Sequence, residues 1–309
     1  MQKYYIGMDA GGTGTSVLVS DGEKDLFQTK TEGLNCNSFP KESIVRSLQS
    51  AAADLAANGF SASDCLCIGI GAAGNNNPAA AGLLRDSLAD CGFHCPIAIC
   101  SDADAALYGA LEEEDGLLLI SGTGSICLGQ TDAGQTRYRS GGFGHLIDDE
   151  GSAYAIGRDI AAAVVRAEDG RGPETVLRDI LFRHLEISST PELVGYIYTM
   201  DHTKKDIAKL ARLISLPETA ADEAVSRIIA KAAAALLEMV TAVCRQMEGH
   251  CSSSGIPLVL HGSVLRNNQR IAGELTKALA VRLPQIQIRE AKADAAHGAI
   301  GLARKDNQL

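Results

Sequence analysis

Two glycine-threonine-glycine turns have the composition to hold phosphate: Asp9-Ala10-Gly11-Gly12-Thr13-Gly14 near the start of the chain and Ser121-Gly122-Thr123-Gly124-Ser125 further on. Glycine leaves the peptide bare, so successive N–H groups can point at phosphate oxygens, and the Thr13 hydroxyl adds a donor. The Asp9 carboxylate is the kind of hard oxygen ligand that Mg²⁺ takes, directly or through water. The first segment lacks the Gly-Lys-Ser/Thr ending of a P-loop, and it lacks the third glycine and following helix of a dinucleotide fingerprint. Taken singly, it is equally a plain hairpin tip. As a pair, the two tips could hold one phosphate chain from both sides.

Three further places could carry chemistry. Asp102 stands where the apolar run 97–100 ends and a helix is expected to begin near Asp104, which is where open α/β sheets bind ligands. A carboxylate there either takes the proton of an attacking hydroxyl or caps the helix. The run Gly141-Gly142-Phe143-Gly144-His145-Leu146-Ile147-Asp148-Asp149-Glu150-Gly151-Ser152 is too rich in glycine and acid to be core. Asp149 or Glu150 could bind sugar hydroxyls there, with Gly142 and Gly144 keeping the site open, or the run is a capping loop before a helix at about Ala153. After the strand 257–260, His261-Gly262-Ser263-Val264 and Asn267 offer a flat glycine surface for a ring such as adenine, or simply a strand-to-helix turn.

Positioning these residues needs rigid elements, and the chain supplies them in a repeated pattern. Residues 4–33 and 116–142 each read as a three-strand meander with a Gly-Thr-Gly tip and a second polar turn at Asp21-Gly22 or Asp132-Ala133-Gly134. A repeat this widely spaced points to two related domains rather than a solenoid. Ile44, Val45, Leu48, Ala52 and Leu55 make one helical stripe ending at Asn58-Gly59. Asn77 and Pro78 are expected to open a second helix, and Gly92 to end it. A long helix is expected over 220–247, capped by Thr219 and Asp222. Strands at 66–70, 97–100, 258–261 and 286–288 alternate with these helices, so the fold class is α/β.

Composition narrows the function classes. At 309 residues, two domains are the natural expectation. With 28 Lys and Arg against 38 Asp and Glu, the net charge of −10 repels nucleic acid and anionic lipid. No long uncharged apolar run and no leader at Met1 are visible, so a soluble, unprocessed, cytoplasmic protein is expected. Nine cysteines, most of them in apolar stretches such as Cys65-Leu66-Cys67-Ile68, suit reduced buried thiols. Cys91, His94, Cys95 and Cys100 lack the paired spacing of a metal site.

The order and spacing of these motifs resemble the sugar kinases of the actin, hexokinase and heat-shock-chaperone superfamily, and most closely the N-acetylglucosamine kinase branch of the BadF/BadG/BcrA/BcrD ATPase family. The resemblance covers nearly the whole chain. It implies two ribonuclease H-like (actin-like ATPase) domains, residues 1–115 with 292–309 and residues 116–291, with ATP and sugar in an interdomain cleft. The small-residue segment Asp294-Ala295-Ala296-His297-Gly298-Ala299-Ile300-Gly301 would return to the first domain. By the same resemblance Asp102 is the catalytic base, and ATP meets Gly11, Gly12, Thr13, Gly122, Thr123, Gly124, Gly262, Ser263 and Asn267. The sugar meets Asn37, Asp102, Ser125, Gly142, Phe143, Gly144 and Asp149. Asp9 holds Mg²⁺.

The implied reaction transfers the terminal phosphate of ATP to the 6-hydroxyl of an amino sugar, N-acetylglucosamine first, with glucosamine and N-acetylmuramic acid as alternatives. Domain closure would exclude water. A homodimer is compatible with the resemblance. Two departures bear on the sugar pocket: Phe143 stands where the pattern often has Trp, and Cys36 and Ser38 flank Asn37 in place of larger residues. An ATP-driven activator of an electron-transfer enzyme would share the fold but needs a cysteine pair for an iron–sulfur cluster at a loop tip, which is not evident. A non-catalytic sugar- or ATP-binding protein would have no use for Asp102.

Overall fold

A computed structural model describes residues 2–11, 14–35, 39–72, 78–199, 202–247 and 255–308. In chain order, β1 (Tyr4–Ala10), β2 (Thr15–Ser20) and β3 (Asp25–Thr31) are followed by α1 (Lys41–Ala57), β4 (Cys65–Ala72), α2 (Pro78–Asp90), β5 (Ile97–Cys100) and α3 (Asp102–Leu111). A second meander, β6 (Gly116–Ser121), β7 (Ser125–Thr131) and β8 (Thr136–Gly141), leads into α4 (Ala153–Glu168), α5 (Leu177–Leu185), α6 (Thr190–Tyr198) and α7 (Lys204–Lys209). Then come α8 (Glu223–Gln246), β9 (Ile256–His261), α9 (Ser263–Asn267), α10 (Gln269–Arg282), β10 (Ile286–Arg289) and α11 (Ala295–Asp306). The chain folds as two compact units: residues up to Glu114 with those from Glu290 onward, and Asp115–Arg289 between them. No helix among the described residues is long and apolar enough to cross a membrane.

The first unit is built on a mixed sheet of order β3-β2-β1-β4-β5, antiparallel in the meander and parallel from β1 through β5. Its central strands are buried on both faces, so they read as nearly continuous apolar runs. Ile6, Met8, Val17, Val19, Ile68 and Ile70 pack one face against Ile44, Leu48 and Leu55 of α1 and Leu84 and Leu88 of α2. The other face receives α11 through Tyr5, Leu18, Cys67, Ala296, Ile300 and Ala303. Gly7 and Gly69 explain how a helix backbone comes this near the sheet. A side chain at either would start 2.0 Å or 1.9 Å from the carbonyl oxygen of Ala296 or Ala299.

The second unit repeats the plan with the order β10-β9-β6-β7-β8. Its core joins Leu117 and Leu119 of β6 to Ile156, Ile160 and Val164 of α4 and to the long apolar stripe of α8. The start of α8 differs from the sequence reading. The helix begins at Glu223, and Asp222 alone caps it, accepting from the Val225 N–H at 3.0 Å. Thr219 instead donates its hydroxyl to the carbonyls of Ile214 and Leu216, closing the preceding 3₁₀ turn. A short polar side chain serves either purpose, and the turn before α8 decides which. In the first unit Pro78 opens α2 as expected, and Gly92 beyond its end has φ +89°; Asn77 lies outside the described residues.

Candidate active site

In the first unit, β1 and the step from β5 into α3 bring two carboxylates to one end of the sheet. Asp9, near the end of β1, lies opposite Gly71 of the parallel neighbour β4. A side chain at Gly71 would start 3.6 Å from the Cα of Asp102, so the first turn of α3 sits against that end of the sheet. Burial pushes the Asp9 carboxyl up to about 6, and the negative charges of Asp102 and then Asp294 add to the effect. Asp294 caps α11, accepting from the His297 N–H at 3.0 Å. Nothing in its local sequence announces a link to Asp9. Gly11 is half-buried beside Asp9, whereas Gly12, Thr13 and Asn37 lie outside the described residues.

The capping reading of Asp102 is corrected here. Helix α3 begins at Asp102 itself, not near Asp104, and its cap is Ser101. The Ser101 Oγ accepts from the Asp104 N–H at 3.0 Å and donates to Asp104 Oδ2 at 2.6 Å. Asp104 is thus a first-turn acid that holds the capping hydroxyl in place. The Asp102 carboxylate accepts from the adjoining Ala103 N–H at 3.0 Å and remains half-exposed.

The raised Asp9 carboxyl has a measurable consequence for stability. Because its folded pKa lies above its unfolded value, the folded state binds the proton more tightly. Ionising Asp9 therefore costs stability as pH rises from about 4 to about 6, and the full cost is present at pH 7.5. Asp9→Asn should raise the unfolding free energy at pH 7.5 by on the order of 1–3 kcal/mol, with the gain shrinking toward pH 4. Urea denaturation at the two pH values checks this. A variant less stable than the parent at pH 7.5 would contradict the electrostatic picture.

In the second unit the Gly122–Gly124 tip is sewn to the loop that precedes α4. Gly122 and Thr123 offer their carbonyls to the N–H groups of Ala153 and Tyr154, at 2.8 and 3.4 Å. Ser121 and Ser125 donate their hydroxyls to the carbonyls of Gly151 and Glu150, at 2.8 and 2.7 Å. Ser152 caps α4 by accepting from the Ala155 N–H. The N–H groups of Thr123 and Gly124 donate to no described residue, which leaves them open to a ligand.

Asp149 is the residue most tightly integrated with this tip. It is 4% exposed, holds a left-handed backbone (φ +65°) and accepts from the Ser125 N–H at 3.3 Å. Its carboxylate occupies the space a side chain at Gly124 would need, 2.9 Å from that position. Burial raises its pKa, opposed by the Ser125 N–H and by the charges of Lys204 and His145. Glu150, the alternative sugar ligand, is instead committed to Arg158 at 3.1 Å.

The rest of the loop is more open. Gly142 accepts from Arg139, whose guanidinium lies 4.6 Å from the centre of the Phe143 ring, and Phe143 is 65% exposed. Among the described residues, none but its chain neighbours stands within 4 Å of a side chain at Gly144. Gly262 has φ +99°, and a side chain there would start 2.3 Å from the Ser121 carbonyl oxygen. The turn needs glycine for packing as well as for conformation. Gly262→Ala should cost at least ~2 kcal/mol by combined strain and overpacking, read as a lowered urea midpoint. Ser263 and Asn267, at the two ends of α9, are exposed.

The structure therefore joins Asp9 with Asp102 in one unit, and Gly122, Gly124, Ser125, Asp149 and Gly262 in the other. The roles of Ser121, Lys204 and Asp294 escape sequence reading because their partners are far along the chain, and that of Ser101 because Asp102 beside it is an equally good cap.

Comparison with known proteins matches this architecture. A model of the BadF/BadG/BcrA/BcrD ATPase family matches residues 6–303. An N-acetylmuramic acid/N-acetylglucosamine kinase of Clostridium acetobutylicum is 35% identical over 98% of this chain and 99% of its own length. The crystal structure of a Chromobacterium violaceum protein provisionally assigned as an N-acetylglucosamine kinase superposes with a TM-score of 0.77 at 22% identity, covering 97% of this chain and 99% of that one. A ROK hexokinase of Thermus thermophilus gives 0.59 at 18% identity, with 99% of both chains covered. These last two show a shared fold.

Proposed function

The chain belongs to the BadF/BadG/BcrA/BcrD ATPase family, and from that premise we propose that it is an ATP-dependent kinase acting on the 6-hydroxyl of an amino sugar, N-acetylglucosamine foremost. The observation that carries this reading is the near full-length similarity to a kinase of N-acetylmuramic acid and N-acetylglucosamine, in a chain that keeps a half-exposed Asp102 beside Asp9. Phosphoryl transfer asks little covalent work of the protein, which must align the acceptor and balance charge.

In this reading Asp102 accepts the proton of the attacking hydroxyl, and Asn37, Ser125, Gly142, Phe143, Gly144 and Asp149 hold the sugar. Gly11, Gly12, Thr13, Thr123 and Gly124 hold phosphates through their backbone N–H groups, Gly122 lines the second tip with its own N–H donated to the Gly124 carbonyl, and Gly262, Ser263 and Asn267 flank the adenosine. The half-buried Asp9, pushed toward protonation by desolvation and then by the charges of Asp102 and Asp294, fits a hard divalent cation such as Mg²⁺, which would relieve that repulsion. When bound, Mg²⁺ supplies neutralisation of phosphate charge. The protein would work in the cytoplasm.

The test is a coupled ADP-release assay over N-acetylglucosamine, glucosamine, N-acetylmuramic acid and glucose. A site that hydrogen-bonds the 2-substituent rejects a sugar lacking it strongly. The best amino sugar should exceed glucose in kcat/KM by at least ~20-fold. Equal values for glucose and every amino sugar would overturn the assignment.

A further inference from the structure

We propose that Lys204, together with His145, recognises a negatively charged substituent on the acceptor sugar. The enzyme then accepts an amino sugar bearing a carboxylate, as N-acetylmuramic acid does on its lactyl ether, as well as an uncharged one. The inference rests on the kinase reading and on Asp149 marking the acceptor site.

The placement follows from how α7 docks on α4. A side chain at Gly157 of α4 would start 2.0 Å from the carbonyl oxygen of Ile207, so the two helix backbones touch there. Lys204 is the first residue of α7, three positions before Ile207. Its charge acts on Asp149, just before α4, and so does that of His145. The His145 ring meets Tyr154 of the first α4 turn edge-on, with centroids 4.6 Å apart. A lysine and a histidine from separate segments thus converge on the end of α4 that carries the acceptor loop.

The chemistry of the surroundings singles out Lys204. The loop presents three acids in succession, Asp148, Asp149 and Glu150, in a protein of net charge −10, and a carboxylated sugar would be repelled there without a counter-charge. Other basic groups nearby are engaged: Arg158 with Glu150 and Asp159, and Lys209 with Asp206. Lys204 is exposed and makes no hydrogen bond or ion pair with a described residue. Its ammonium is available to a ligand, and an uncharged sugar has no use for it.

The experiment compares kcat/KM for N-acetylmuramic acid and N-acetylglucosamine in the parent protein, Lys204→Gln and Lys204→Arg, with calorimetric titration of both sugars into each. A charge-assisted hydrogen bond is strong enough that Lys204→Gln should lower the muramic-to-glucosamine ratio at least ~10-fold, with Lys204→Arg recovering much of it. The binding ratio should move with it. A parent protein that binds and phosphorylates N-acetylglucosamine but not N-acetylmuramic acid overturns the inference and leaves the kinase reading standing. So does a ratio unchanged in Lys204→Gln. If the parent turns over no sugar, the kinase reading fails, and the calorimetric ratio still decides the role of Lys204.

Discussion

Asp102→Asn is expected to lower kcat by at least ~100-fold, and by as much as ~10⁴-fold, since removing a positioned general base has that effect. Affinity for ATP and thermal stability should stay near those of the parent. The second half of this expectation comes from the structure. Ser101, not Asp102, caps α3, so Asn at 102 removes the base while keeping a side-chain oxygen for the Ala103 N–H, and the lost charge relieves its repulsion of Asp9. Ser101→Ala supplies the contrast: it should cost about 1 kcal/mol of stability and spare much of the chemistry. Steady-state kinetics, an ATP titration and a thermal melt on both variants separate the roles. Should Asp102→Asn keep more than about half its activity, the proton goes elsewhere and the mechanism must be redrawn.

Gly298→Ala is expected to destabilise the first unit by on the order of 3 kcal/mol, the upper end of the usual range for one added methyl. The new carbon would start 1.9 Å from the Ala105 carbonyl oxygen and 2.5 Å from the Gly109 nitrogen, both backbone atoms that cannot rotate away. Alanine's better helix propensity recovers only about 1 kcal/mol. At this crossing the Ala293 N–H also donates to the Gly109 carbonyl at 2.8 Å, and Asp294 begins α11. Forcing the helices apart would therefore shift one of the charges acting on Asp9. A fall in Tm of roughly 5–10 °C is expected, with amide protection lost first in β1, β4, α3 and α11. A melt within about 2 °C of the parent would show that the crossing is looser than its atoms imply.

The elements that carry the site were legible in the residues because their signals are local. Alternation and turn chemistry mark the two meanders, and the apolar run before Asp102 ends as β5 at Cys100. The helical stripe of α1 and the proline opening α2 are equally short-range patterns. The resemblance to the family rests on the same contiguous stretches, which is why the family assignment needed no coordinates.

What needed the tertiary structure involves residues that are ordinary in their own neighbourhoods. Ser101 and Asp102 are both good helix caps, and only the backbone path into α3 chooses between them. Thr219 and Asp222 were indistinguishable for the same reason. Asp149 and Glu150 are adjacent acids, yet one fills the space left by Gly124 and the other turns to Arg158. The charge of Asp294 reaches Asp9 only because α11 lies against β1, and that of Lys204 reaches Asp149 because Gly157 lets α7 touch α4. Periodicity and turn residues determine which segments become strands, helices and tips, since each depends on a few consecutive residues. Which side chains then share a dielectric environment depends on close packing between distant segments, and a carboxylate's charge state and partners follow from that environment.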